Sequence, residues 1–293
     1  MSNKMFGGLT IKELALRTWR EANEDNVFGG AAELGYYFML ALFPMLIFLA
    51  SLVGFLSGAQ AAIMSGLAKV APPEAMKLVQ DTLEDVISHR SGGLLSLGVL
   101  GTLWASSSGV ESLIGTLNTA YDAKEKRSFW KVRATSIALT IGLSLLIMGG
   151  AVLIMLSHKL TDWLSGSLGF GTTFAVISSV IGYVVGLVLL FIGVELLYYY
   201  GPNVKQSWEW VTPGAVFAIV AIIAGSLLFS LYLRIAPSNS ATYGSLGAVI
   251  TLMLWLYLIG LALLVGGEIN SEIEQAGNKP VVEKKQNGEL QAA

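Results

Sequence analysis

Six stretches of the chain are apolar over roughly 20 residues, the length a helix needs to cross the hydrocarbon core of a bilayer. They run over about Ala31–Leu56, Leu94–Thr116, Ala134–Leu156, Phe174–Tyr199, Gly214–Leu233 and Ser245–Val265. Five read as spanning helices on hydropathy alone. The second does not: its apolar run, LLSLGVLGTLWA, stops at Ala105, and Ser106, Ser107, Ser108 and Glu111 follow. Hydropathy leaves it either a span or a re-entrant segment.

Between these stretches the pattern changes. Leu9–Asn23 sets Leu9, Leu14, Leu16 and Trp19 among charges at roughly helical spacing. It predicts an amphipathic helix, lying on the membrane surface or packed against the protein's own loops. The loop from Ala59 to Ser91 carries Pro72-Pro73 and then EAMKLVQDTLEDVISH, with apolar residues at helical intervals, which predicts a structured helical hairpin outside the membrane. Asn278–Ala293 is polar and aperiodic, and a disordered tail is expected. The division is then a helix and linker over 1–30, a membrane domain over 31–272 containing the 59–91 loop, and a tail over 273–293.

Charge placement decides the second segment. Lys and Arg in short loops favour the cytoplasm. Three basic clusters stand out: Lys4, Lys12, Arg17 and Arg20; then Lys124, Lys126, Arg127, Lys131 and Arg133; then Lys279, Lys284 and Lys285. An even number of crossings must separate successive clusters on one side. Two before Lys124 and four after it put both ends in the cytoplasm, so the second segment spans. The expected fold is an all-α membrane protein of six transmembrane helices with both termini in the cytoplasm.

Composition agrees and removes several function classes. The chain is 54% hydrophobic and only 13% charged over 293 residues, against about a quarter charged in soluble domains. It has no cysteine and two histidines, His89 and His158, which fall in separate loops. No metal centre, cofactor or disulfide is expected. No phosphate-binding glycine loop or nucleophile elbow occurs, and basic residues are not interleaved with aromatics as nucleic-acid binding requires. The expectation is a protein that is not an enzyme and binds no nucleic acid. Its partners are membrane lipids and a small ion or lipid substrate, and a homo-oligomer stays open.

Ionisable groups within membranes are costly and point to function. Trp104, Glu111 and Asn118 recur every seven residues, with Ser107 and Ser108 between them, so the second helix carries a polar stripe that cannot face lipid. It either lines a pathway or hydrogen-bonds its neighbours. Glu33, Glu195 and Glu268 fall at the cytoplasmic ends of other spans and join the stripe as substrate or ion pathway candidates. Gly182 and Gly186, with Gly193 seven further on, are the candidate helix-packing glycines. Pro44 should kink or loosen the first span.

Four ordered stretches, GGAAELGYYFMLALFPMLIFLASLVGFL, LWASSSGVESLIGTLNTAYDAKEKRSFWKVR, YYYGPNVKQSWEWVTPGAVFA and YGSLGAVITLMLWLYLIGLALLVGGEIN, resemble the YihY/BrkB family of bacterial inner-membrane proteins. The resemblance covers roughly Trp19 to Glu272 and implies six spans. Members have carried the name ribonuclease BN, which the residues do not support. Others have been associated with serum resistance, export of lipid precursors and cation/proton exchange. Three functions follow as expectations: a transporter of a lipid or lipid-linked envelope precursor through a cavity lined by the second span, a cation/proton antiporter, and a non-transporting envelope scaffold.

Overall fold

The computed structural model describes residues 6–53, 64, 76, 80, 95–168, 171–206, 208–235 and 245–277. The predicted outer hairpin and the tail lie essentially outside them. Seven helices of eight residues or more are described: α1 Ile11–Glu24, α2 Val27–Val53, α3 Leu95–Ala120, α4 Phe129–Leu168, α5 Gly171–Tyr200, α6 Pro213–Ile235 and α7 Ser245–Ala276. Among the described residues there is no strand.

Helix α1 begins at a capping box. The Thr10 hydroxyl accepts from the Glu13 backbone N–H at 3.2 Å, and the Glu13 carboxylate accepts from the Thr10 N–H at 2.9 Å. Two otherwise unpaired backbone donors are thereby used. Thr10→Ala should destabilise α1 by about 1 kcal/mol, measurable as faster amide exchange over Ile11–Thr18. Leu14, Thr18 and Ala22, four residues apart, form the buried face that packs on α7 and α2. Arg17 approaches Glu272 at 3.7 Å. The helix thus docks on the bundle, while Ile11, Leu16 and Trp19 stay exposed.

Helices α2 to α7 form a ring. Each packs on the next, and α7 closes the ring on α2 while also touching α3. Pro44 sits inside an unbroken α2. The core gathers where α2, α3 and α7 meet: Ala31, Leu34, Ile114, Leu117 and Leu264 are almost fully excluded from solvent. Among the described residues, four helical stretches are long and apolar enough to cross a membrane: Phe129–Gly150, Val180–Tyr200, Pro213–Leu233 and Gly247–Ala276. Val27–Leu42 is a shorter apolar stretch, and α3 is not among them. Of the six predicted spans, four meet the length and hydropathy of a crossing helix among the described residues. α3 is not among the four because Ser106–Ser108, Glu111, Ser112 and Asn118 dilute its apolar character.

Among the described residues, the tightest helix contacts do not involve Gly182 or Gly186. Among the described residues, nothing lies within 4 Å of a Cβ placed on Gly182 or Gly186, whereas one placed on Gly193 would meet Leu143 at 3.2 Å. The tight crossings are at Gly35 against the Tyr257 backbone (3.3 Å), Gly260 against Leu34 (3.1 Å), Gly267 against Leu117 (2.9 Å), and Gly214 against the Gly266 carbonyl. Backbones approach there because no side chain separates them.

Candidate functional site

Three polar clusters lie on this frame. The first is the outer face of α3. Gly101, Trp104, Gly115 and Thr119 are exposed, and Ser108, Glu111 and Ser112 are half-buried between them. α2 and α4 both pack on α3 and flank this face. From α2, the exposed Glu33 accepts a hydrogen bond from Ser112 Oγ at 3.3 Å. From α4, the buried Arg133 donates to the Glu111 carboxylate and to the Trp104 carbonyl. Its guanidinium carbon lies 4.0 Å from the Trp104 ring centroid, a cation–π contact. Trp130 sits edge-on to the same ring. Further along, the two flanking helices meet where Ser144 Oγ lies 3.8 Å from Met45 Sδ. This half-exposed polar face of α3, edged by Glu33 from α2 and Arg133 from α4, is the α3 furrow.

Two predicted members of the stripe are not in this furrow. Ser107 is buried and bonds back to the Trp104 carbonyl at 2.8 Å. Asn118 has turned inward, because a helix falls about 20° behind a seven-residue repeat at each step. It belongs to the second cluster, a clamp between the α3–α4 and α5–α6 loops. Asn118 donates to Glu125 at 2.9 Å and accepts from the Asn203 backbone at 2.6 Å. Glu125 pairs with Arg127 at 2.7 Å, and Arg127 reaches the Gly201 carbonyl at 2.8 Å. Partial desolvation of the Glu125 carboxyl is outweighed by the Arg127 and Asn118 hydrogen bonds, which hold it below its ordinary 4.5. A depressed carboxylate contributes stability above its unfolded-state value and loses it as pH falls. The clamp should therefore loosen below pH 4.5, and Glu125→Gln should remove that acid dependence, read from amide exchange at Asn203.

The third cluster is where α5, α6 and α7 meet. Glu195, 3% exposed, accepts on Oε1 from the Thr212 backbone N–H (2.5 Å) and hydroxyl (3.0 Å). Thr212 caps α6, accepting from the Ala215 N–H at 3.2 Å, with Pro213 opening the helix. Asn270 ties α7 to the same point, donating to Thr212 Oγ1 at 2.9 Å and accepting from the Gly214 N–H at 2.8 Å. A pocket opens beside this junction. On the same helix as Asn270, Glu268 lies within electrostatic range of the carboxylates of Asp25, Glu21, Asp122 and Glu272. Glu268 is 1% exposed, and its Oε1 has no hydrogen-bond partner among the described residues.

The predicted carboxylates therefore do not converge. Glu33 and Glu111 share the furrow, Glu195 lines the pocket, and Glu268 sits on the α1 side of α7. Among the described residues, no three His, Cys, Asp or Glu side chains could hold a metal ion. The residue missed by sequence reasoning is Arg133, counted there as a loop cation. Its signal was available: it lies one turn into the helix opened by Phe129 and Trp130.

Residues 18–290 match the family described as Virulence factor BrkB. The chain belongs to the BrkB family. A Bacillus subtilis relative, named putative ribonuclease-like protein YfkH, is 38% identical over 85% of this chain and 91% of its own length. Two BrkB relatives are named UPF0761 membrane protein. One, from Psychromonas ingrahamii, is 27% identical over 89% of this chain and 87% of its own; the other, from Haemophilus influenzae, is 22% identical over 92% and 98%. No solved structure matches the chain. The BrkB assignment, together with the apolar helices, makes this a membrane-bound protein.

Proposed function

We propose that this BrkB protein is a six-span inner-membrane transporter with both termini in the cytoplasm, moving an amphipathic lipid or lipid-linked precursor along the α3 furrow. The observation that carries the reading is the exposed polar face of α3. A helix in a bilayer cannot turn Glu111, Ser108 and Ser112 to hydrocarbon without cost. A headgroup travelling along the furrow would satisfy them while its acyl chains stay in lipid. α3 counts as a span because the basic clusters before and after it require two crossings.

The test is fluorescent-lipid translocation in proteoliposomes. Wild-type protein should scramble or export the lipid above the protein-free rate, and Glu111→Gln with Glu33→Gln should cut that rate about tenfold, equivalent to about 1.4 kcal/mol of barrier. Translocation no faster than in empty liposomes would sink the proposal. Cation/proton exchange is the second reading, favoured by the buried Glu268 with its unpartnered oxygen. Glu268→Gln would then abolish proton-coupled flux reported by an entrapped pH dye. Neither reading is enzymatic. Purified protein should leave RNA intact with and without divalent metal, and cleavage co-purifying with the protein through two columns would overturn that.

A further inference from the structure

The clamp between the α3–α4 and α5–α6 loops leaves positive charge uncompensated. Its carboxylates are committed. Glu125 is neutralised by Arg127, which also reaches the Tyr200 and Gly201 carbonyls. Asp122, Lys126 and Glu209 each interact with other groups of the protein. Three lysines remain, Lys124, Lys131 and Lys205, all exposed. Among the described residues, their ammonium groups make no hydrogen bond or ion pair. The fold gathers them. Asn203 donates from Nδ2 to the Lys124 carbonyl at 2.9 Å, which sets Lys124 beside the chain just before Lys205. Lys131 lies in the first turn of α4, one helical turn beyond Arg127.

Exposed aromatic rings border these lysines. Phe129 and Trp130 open α4, with centroids 5.3 Å apart. A ladder of edge-on contacts runs from Tyr200 through Tyr199 and Trp208 to Trp210, at 4.8, 5.0 and 5.5 Å, and holds Trp210 outward. These rings stand at the ends of three stretches long and apolar enough to cross a membrane, Phe129–Gly150, Val180–Tyr200 and Pro213–Leu233. Trp and Tyr at span ends sit at headgroup depth, so lysines beside them meet the headgroup layer.

Charge selects the headgroup. Ammonium groups without a counter-ion favour a phosphodiester, through charge-assisted hydrogen bonds and the field of an anionic bilayer surface. A zwitterionic headgroup carries its own cation beside its phosphate, which repels the lysines and cancels most of the attraction. Nucleic acid fits less well, because the rings are braced edge-on against one another rather than laid open for stacking bases. We propose that the clamp face binds the phosphodiester of an anionic phospholipid, with Lys124 and Lys205 meeting the phosphate from the two loops, Lys131 adding its charge from α4, and Trp130 and Trp210 flanking the acyl chains. This binding does not depend on what the α3 furrow carries.

Titration of the detergent-solubilised full chain with dioctanoyl-phosphatidylglycerol, read by tryptophan fluorescence, tests this. Saturable binding is expected, weakened by salt, with dioctanoyl-phosphatidylcholine at least about tenfold weaker. Lys124→Gln and Lys205→Gln should each weaken it about fivefold, and the triple variant with Lys131→Gln about a hundredfold. Replacing the same three lysines by Arg keeps the charge and should keep the binding. Lys12→Gln removes an equally exposed charge from α1 and should leave affinity unchanged. The proposal is overturned by no saturable binding to wild type, equal affinity for phosphatidylcholine, or full affinity in the triple Gln variant. A loss in Lys12→Gln as large as in Lys124→Gln, or in the Arg variant as large as in the Gln variant, overturns it too. So does displacement of the lipid by polyuridylate at matched phosphate concentration, which would make this a nucleic-acid surface.

Discussion

Arg133→Met, made while Glu111 is kept, should cost about 3 kcal/mol of stability, at the lower end of the ~3–5 kcal/mol typical when one member of a buried ion pair is removed. Arg133 is nearly enclosed, whereas the Glu111 side chain keeps 30% of its exposure, and water softens the penalty on the abandoned carboxylate. Three interactions disappear together: the charge-assisted bond to Glu111, the bond to the Trp104 carbonyl, and the contact over the Trp104 ring. Glu111→Gln alone should cost less, because the amide oxygen can still accept from the guanidinium. The informative variant is the pair. With both changed, the carboxylate no longer needs a cation, and thermal unfolding in detergent should recover much of the loss. Strictly additive costs would show that the two residues do not act as a unit.

That cycle also separates the two readings of the α3 stripe that the sequence leaves open. If the polar face exists only to fasten α4 to α3, the double variant recovers stability and transport together. If it serves a headgroup, stability returns and translocation does not. The folding term and the functional term share the same residues here, and only a variant that restores one without the other can assign them.

Legibility from the sequence followed the kind of signal each feature carries. Helix positions are written as long apolar runs, so the starts of α5, α6 and α7 fall within three residues of the predicted ones. Their ends are harder. The GEINSEIEQA that ends α7 is too polar to register as membrane, yet it continues the helix because Ser271 and Glu272 are buried under α1. The polar stripe on α3 was visible as a heptad, but heptad spacing does not say which way a helix is rotated. Asn118 went to a loop clamp and Ser107 to its own backbone. Arg133 was hidden by the rule that made the topology readable: a cation near a cytoplasmic loop counts toward orientation, and the count says nothing of whether its side chain turns inward. The tight crossing of α6 with α7 was missed for a similar reason. A Gly-x-x-x-Gly pair marks one helix as able to approach another, whereas Gly214 and Gly266 belong to no such pair, and only their mutual placement makes them a contact.

That crossing carries the second large effect. Gly214→Ala should prevent α6 from docking and leave little monodisperse protein after detergent extraction. A methyl there would collide with the Gly266 carbonyl, and Asn270 Oδ1 would lie only 2.5 Å away. The first obstacle is backbone in the middle of a packed helix and cannot rotate aside. Inserting a methyl into a well-packed core typically costs about 1–3 kcal/mol. Moving α6 away to make room breaks the Gly214 N–H bond to Asn270, adding about 1–3 kcal/mol for a buried group left unpaired. The damage does not stop there, because Asn270 also orients Thr212, and Thr212 holds Glu195. Gly182→Ala is the matched control. Nothing within the described residues obstructs its methyl, and exchanging Gly for Ala within a helix gains up to about 1 kcal/mol. A Gly214→Ala protein that unfolds at the wild-type temperature would mean that the α6–α7 contact is looser than drawn, and the pocket built on that junction would lose its rigid wall with it.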